Sequence, residues 1–299
     1  MCSKAYAVPS FLRDVSRWKM KGEKCGMGNN MLNAGLSAEA EKNLYGNSSQ
    51  NMLWSCTYDP RFCYYVHIPL QTDDRPFRVI VYIHGTGGFY PTAVREALGK
   101  FAEDHHCCVL VPLFPSGIAE ADDFNSYKLL RIGNIHYDDI LFRMLEEVKE
   151  RYREVEISKI ILYGHSGGGQ FANRFFYLNP DRLAAVSVSA PGRPTFLDQT
   201  RPFYWGTADW ETVFGRKIDR EALRSVPVQL LVGEKDTDYI GDAFCGSMRV
   251  DRMNYLYRNF KENGIEAVFS VLKGIAHGDG EPERTDTFLR WLKTVDYLR

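Results

Sequence analysis

Ile160-Ile161-Leu162-Tyr163-Gly164-His165-Ser166-Gly167-Gly168-Gly169-Gln170-Phe171-Ala172 passes from an apolar run, through a glycine-rich turn, into a segment with helical spacing. An unbroken apolar run of this length suits a strand buried on both faces. Phe171, Ala172, Phe175, Phe176 and Leu178 share one helical face, and Asn179-Pro180 stops that helix. The turn between them is a G-x-S-x-G. A serine on so tight a strand-to-helix turn has a strained backbone, and side chains two residues to either side would collide there, which is why Gly164 and Gly168 suit it. Ser166 is thereby placed at a helix amino terminus, where backbone N–H groups and the helix dipole favour developing negative charge. The rival use of such a turn, cradling a phosphate, lacks its partners: no Gly-Lys-Ser/Thr follows, and G-x-G-x-x-G is not completed.

Working outward, short β-branched and aromatic runs alternate with longer amphipathic segments. Residues 53–58 and 63–69 read as an initial hairpin, and 78–83, 108–111, 184–188, 228–232 and 267–272 as further strands. Helices are expected over 92–103, 138–153, 168–178, 249–263 and 285–298. This spacing implies right-handed crossovers and a mostly parallel sheet, an α/β fold. Two stretches interrupt the alternation after the carboxyl end of a strand, the edge on which such sheets place ligands: residues 115–134 and 191–227. The second is rich in aromatic rings and is read either as a small cap over the site or as an excursion packed onto the body. Residues 1–51 show no sustained period and form an N-terminal arm, distinct from the main domain at 52–299. Phe11, Leu12, Val15 and Trp18 share a helical face there, so docking onto the body or onto a second copy, as a homodimer, stays open.

A serine hydroxyl needs an imidazole to take its proton and a carboxylate to hold that imidazole in the right tautomer. Gly233-Glu234-Lys235-Asp236 turns off the carboxyl end of the strand at 228–232, on the same edge as Ser166. Asp236 is the first choice of orienting acid, with Asp238 and Glu234 as alternatives. Beyond the last strand, Gly274-Ile275-Ala276-His277-Gly278 offers His277 as general base. The order nucleophile, acid, base matches one known arrangement of this chemistry and not the others. His84-Gly85-Thr86-Gly87-Gly88 follows another buried strand; its glycines let backbone N–H groups approach a carbonyl oxygen, with Thr86 first and Gly87 second as partners for the Gly167 N–H. Phe89, Tyr90, Phe124, Tyr127, Phe203, Tyr204, Trp205 and Trp210, with His165 inside the turn, are the candidates to contact substrate.

Taken together these motifs resemble the α/β-hydrolase superfamily over about 52–298, and its serine-esterase branches in particular, including feruloyl-esterase-like and polyhydroxyalkanoate-depolymerase-like enzymes. The resemblance implies catalytic roles for Ser166, Asp236 and His277, and an expected cleavage of a carboxylic ester or lactone of an apolar or aromatic small molecule through an acyl-enzyme. An acyltransferase or cyclase using the same triad, and a ligand-binding protein of the same fold, are the alternatives. The N-terminal arm departs from the common pattern.

Composition narrows the remaining classes. With 37 basic and 38 acidic residues, a net charge of −1 and no dense Lys/Arg block, nucleic acid is not an expected partner. Mean hydropathy is −0.32, and no apolar stretch reaches the roughly 18 residues of a membrane span. Charged residues Arg13, Asp14, Arg17 and Lys19 break any secretory apolar region, and seven cysteines without regular spacing suit a reducing compartment, so a cytoplasmic location is expected. Cys107-Cys108 has no C-x-x-C partner and no H-E-x-x-H occurs, so neither a metal nor another cofactor is expected.

Overall fold

Alternation along the central strands is what builds the layers in this computed structural model, which describes residues 50–70, 74–88 and 90–298. In β3 (Phe77–Ile83), Val79, Val81 and Ile83 face one core while Ile80 and Tyr82 face the other; in β7 (Val155–His165), Ile160 and Leu162 oppose Ile161 and Tyr163 in the same way. Both faces of the sheet are therefore apolar, and each must be covered by helices. The first core takes side chains from α2 (Tyr137–Arg151), α3 (Gly167–Leu178) and α6 (Arg249–Glu262); the second takes them from α1 (Thr92–His105) and α7 (Glu281–Leu292).

Eight strands form the sheet in the order β1-β2-β4-β3-β7-β8-β9-β10. β1 (Gln50–Ser55) and β2 (Cys63–Ile68) form the expected antiparallel hairpin, and β2 is antiparallel to β4 (Cys107–Leu113). From β4 onward the neighbours β3, β7, β8 (Leu183–Ser189), β9 (Val228–Gly233) and β10 (Ala267–Leu272) are parallel. The chain steps from β3 outward to β4 and then returns across β3 to β7. That reversal parts the loops leaving β3 and β7 and opens a crevice between them. A two-residue hairpin, β5 (Arg131–Ile132) and β6 (Ile135–His136), lies apart from the main sheet.

One boundary is corrected. The last helix spans Glu281–Leu292 rather than 285–298, because Pro282 in its first turn, with Glu281 and Glu283 beside it, is a start signal that outweighs the apolar periodicity. The segment 191–227 holds two short helices, α4 (Trp210–Phe214) and α5 (Arg220–Ser225), and much of it covers α3. Asn173 Oδ1 accepts from the Thr195 N–H at 2.7 Å, Tyr177 donates its hydroxyl proton to the Thr195 carbonyl at 2.8 Å, and Trp210 meets the Tyr177 ring at 5.9 Å. Those rings pack the excursion onto the body. The arm residues Phe11, Leu12, Val15 and Trp18 lie outside the described residues. Among the described residues no helix is long and apolar enough to cross a membrane.

Candidate active site

Ser166 is the Ncap of α3, and its φ of 56° is a left-handed conformation that a residue with a side chain adopts only under constraint. The constraint is visible in the glycines. A Cβ on Gly164 would overlap the Gly168 carbonyl, and one on Gly168 would overlap the Ile83 carbonyl. The Ser166 N–H donates to the Ser189 carbonyl at 2.9 Å, tying the turn to the end of β8.

His277 reaches this serine from the loop after β10. Its Nε2 lies 3.0 Å from Ser166 Oγ, and its Nδ1 lies 2.7 Å from Oδ2 of Asp236, which is 1% exposed. The other Asp236 oxygen, Oδ1, accepts from Arg249 Nη1 at 3.3 Å. Of the alternative acids, Asp238 is exposed, and Glu234 accepts from the Gly274 N–H at 2.8 Å, which pins the turn leading into the His277 loop. Since the buried carboxylate accepts only, the His277 proton sits on Nδ1 and leaves Nε2 free to take the serine proton.

The Thr86 amide nitrogen lies next to the elbow: a Cβ built on Gly167 would come within 3.1 Å of it. Thr86 and Ser166 line both cavities described below, whereas Gly87 lines neither. Thr86, rather than Gly87, is thus the loop residue that stands beside Gly167 at the mouth of both cavities. Its loop is held by His84, which is buried and neutral: Nε2 accepts from the Phe114 N–H at 3.0 Å, so Nδ1–H donates to the Gly85 carbonyl at 2.7 Å. Burial lowers the His84 pKa further. Tyr127 closes the arrangement by donating its hydroxyl proton to the His84 carbonyl at 3.1 Å.

His165, a candidate for substrate contact, lines the smaller of the two cavities at Ser166 and is also tied to the His277 loop. Its Nε2–H donates to the His277 carbonyl at 3.3 Å, its Nδ1 accepts from the Ser189 hydroxyl at 2.9 Å, and its ring lies 4.9 Å from the His277 ring. Burial, reinforced by Arg284, pushes its pKa well below the usual imidazole value.

Two cavities meet at Ser166. One, of about 240 Å³, is lined by His277, Glu281 and Arg284; the other, of about 410 Å³, is lined by Phe124 and Tyr204 and not by His277. Of the expected aromatic contacts, only Phe124 and Tyr204 line either cavity. Phe203, Trp205 and Trp210 pack on Phe214, Phe196 and Tyr177; Tyr90 lies against Tyr65 and Tyr82; Phe89 is outside the described residues. Tyr127 lines neither cavity and is held to the His84 carbonyl. The reason is the one seen in the fold: every residue of α3 except Gln170 is buried, and rings of 203–214 are spent on covering it. What sequence reasoning missed is the charge of the larger cavity, lined by Lys128, Arg174, Arg193, Arg249 and Arg252. Arg174 carried a signal, since it interrupts the apolar face of the helix after the elbow; the others carried none.

No protein-family model and no curated protein sequence matches the chain significantly. Solved structures do. It is similar to poly(aspartic acid) hydrolase-1 from Sphingomonas sp. KT-1, with a TM-score of 0.61, 20% identity, and 83% of this chain and 98% of that one covered. It is similar also to the poly(3-hydroxybutyrate) depolymerase from Bordetella parapertussis (TM-score 0.61, 19% identity, 83% and 91% covered). An S-formylglutathione hydrolase from Staphylococcus aureus gives a TM-score of 0.55 at 15% identity, with 82% and 96% covered. Strand order, the elbow after β7 and these likenesses lead to one conclusion about architecture: the chain has the α/β-hydrolase fold.

Proposed function

We propose that this protein is a serine hydrolase that cleaves a carboxylic ester or lactone through an acyl-enzyme intermediate. The observation that carries the proposal is the continuous hydrogen-bonded line from Ser166 Oγ through His277 to the buried Asp236, at 3.0 and 2.7 Å, on a strained elbow. His277 takes the serine proton as Oγ attacks the carbonyl carbon. The negative charge moves to the carbonyl oxygen, held by the N–H groups of Thr86 and Gly167. His277 then protonates the leaving alcohol as the carbon–oxygen bond breaks. Water, deprotonated by the same imidazole, attacks the acyl-enzyme and frees the acid and Ser166. His277 lines the smaller cavity and not the larger one, so leaving alcohol and water belong on the smaller side and the acyl group on the larger.

The test is stoichiometric labelling of Ser166 by a fluorophosphonate, together with turnover of aryl esters that Ser166→Ala abolishes. Labelling without turnover would sink the hydrolase reading in favour of ligand binding. Product analysis with an added alcohol separates hydrolysis from acyl transfer.

A further inference from the structure

Among the described residues the larger cavity is lined by five cationic side chains and by no carboxylate. In a chain with a net charge of −1 this is a strong local imbalance. Among the described residues, one of the five has a carboxylate hydrogen bond, Arg249 to Asp236, and the Arg249 Nε is buried with no partner among them. Arg174 and Arg252 are both buried. Arg174 donates to Thr195 Oγ1 and to the carbonyls of Lys128 and Arg193; Arg252 donates to the carbonyls of Gly192, Gly241 and Gly246. Carbonyls and hydroxyls satisfy the donors of a guanidinium without cancelling its charge. Those two arginines therefore do two things: they fix the backbone of Lys128 and of the 192–193 turn, and they leave the cavity positive. Lys128 Nζ and Arg193 Nη1 point to neutral partners, Asn125 Oδ1 at 2.7 Å and the Tyr204 hydroxyl at 3.3 Å.

A cavity of this kind disfavours an apolar acyl chain, which would have to strip water from the cations without repaying them. It favours a group with oxygen anions able to take charge-assisted hydrogen bonds from Lys128, Arg193 and Arg249. We propose that the acyl half of the substrate carries an anionic terminus, a carboxylate or a phosphate-type oxyanion, bound by Lys128, Arg193 and Arg249 in the larger cavity, which His277 does not line. This rests on the serine-hydrolase reading and adds the substrate class to it. The position of His277 sets the placement: it lines the smaller cavity, so the anion sits on the acid released last, not on the alcohol released first. Burial lowers the Lys128 pKa to about 8, with Asp123 opposing and Arg174 and Arg193 adding to the shift; a bound anion would hold that ammonium charged.

The experiment compares 4-nitrophenyl esters of a six-carbon acyl chain ending in carboxylate, in phosphonate or in methyl, and a fourth ester with a methyl-ended chain but a carboxylate on the leaving phenol. Expected is a kcat/KM for at least one acyl-anionic ester that exceeds the methyl-ended one by about tenfold or more, with no such gain for the anionic phenol. Whichever anion wins distinguishes the carboxylate source from the phosphate-type one. In Arg193→Gln and in Lys128→Gln the ratio of anionic to methyl-ended kcat/KM falls about 10-fold each; both esters are read on one preparation, so loss of folded protein cancels. Equal or better turnover of the methyl-ended ester overturns the inference and leaves the hydrolase intact. If no ester is turned over, the hydrolase reading falls instead, and calorimetry of adipate with wild-type and Arg193→Gln protein decides the cavity alone: binding lost in the variant supports its anion specificity, and no binding overturns it.

Discussion

Replacing Asp236 by Asn tests the relay at its most constrained point, because Arg249 decides which way the new amide faces. In the wild-type site Oδ1 accepts from Arg249 and Oδ2 from His277. An amide has one acceptor to offer. Turning its NH₂ toward Arg249 would oppose two donors at a cost of about 1–3 kcal/mol, a preference of roughly 5- to 150-fold for the opposite flip. The amide oxygen therefore stays on Arg249 and the NH₂ faces His277 Nδ1. That nitrogen must then accept, the ring proton moves to Nε2, and Nε2 can no longer take a proton from Ser166. The expected loss in kcat is about 10⁴-fold, or about 5.4 kcal/mol of transition-state stabilisation. Adding Arg249→Met to Asp236→Asn removes the constraint, lets the amide present its oxygen to His277, and should recover about tenfold of that loss on a methyl-ended aryl ester. Recovery on adding a second lesion is a sign that general damage cannot produce. Steady-state turnover normalised to fluorophosphonate-titrated serine is the assay. A kcat for Asp236→Asn within tenfold of wild type, or a double variant no faster than the single one, would refute the tautomer argument.

Ser166→Ala should cost about a millionfold in kcat, measured with the most active ester. Gly168→Ala should lower the unfolding temperature and abolish turnover together, since its methyl would meet the Ile83 carbonyl and the elbow has no room to yield. His84→Ala leaves the buried Phe114 N–H without its acceptor, costing about 1–3 kcal/mol in denaturant unfolding, with a lower kcat as the Thr86 loop loosens. For Lys128, with Asp123, Asn125, Arg174 and Arg193 around it, the folded pKa of about 8 lies below the ordinary lysine value of 10.5. Between those two values the unfolded chain binds more protons, so stability rises with pH there, while the ratio of anionic to methyl-ended kcat/KM falls above about pH 8 as the ammonium is lost. A flat ratio from pH 7 to 10 would remove Lys128 from the anion site.

The sheet and the Ser166–His277–Asp236 line were legible in the sequence for the same reason: each is fixed by local pattern. An apolar run, a glycine on either side of a serine, and short turns after β9 and β10 specify where a side chain emerges, and parallel strands deliver all such turns to one edge. Even Asp236 over Asp238 follows a simple physical rule once the fold is in view, since only the former is buried enough to hold an imidazole by a bond that water does not contest. Of the aromatic residues of 191–227 read as pocket candidates, Tyr204 lines the larger cavity while Phe203, Trp205 and Trp210 pack inward, a division that composition does not reveal because it does not say which side of a loop faces inward. What decides it is the polar edge of α3: Asn173, Arg174 and Tyr177 draw residues 193–195 onto the helix, and the rings follow.

The cations show the complementary case. Lys128 comes from the loop after β4, Arg174 from α3, Arg193 from the loop after β8, and Arg249 and Arg252 from α6, so five charges from four segments converge on one cavity while the chain as a whole is balanced. Net charge averages such a feature away, and no spacing rule connects its members. Their convergence is nonetheless built from within: Arg174 grips the backbone of both Lys128 and Arg193, and Arg252 grips that of Gly192. A guanidinium buried on carbonyls alone is costly to keep charged, and a protein that only needed those backbone contacts could make them with neutral donors. Positive potential at this place has a use on two occasions in the proposed cycle, when an anionic acyl group enters and when the tetrahedral oxyanion forms at Ser166. The first is specific to substrate and the second is common to every ester, so the ratio between two acyl termini isolates the entry step from the chemistry that follows it.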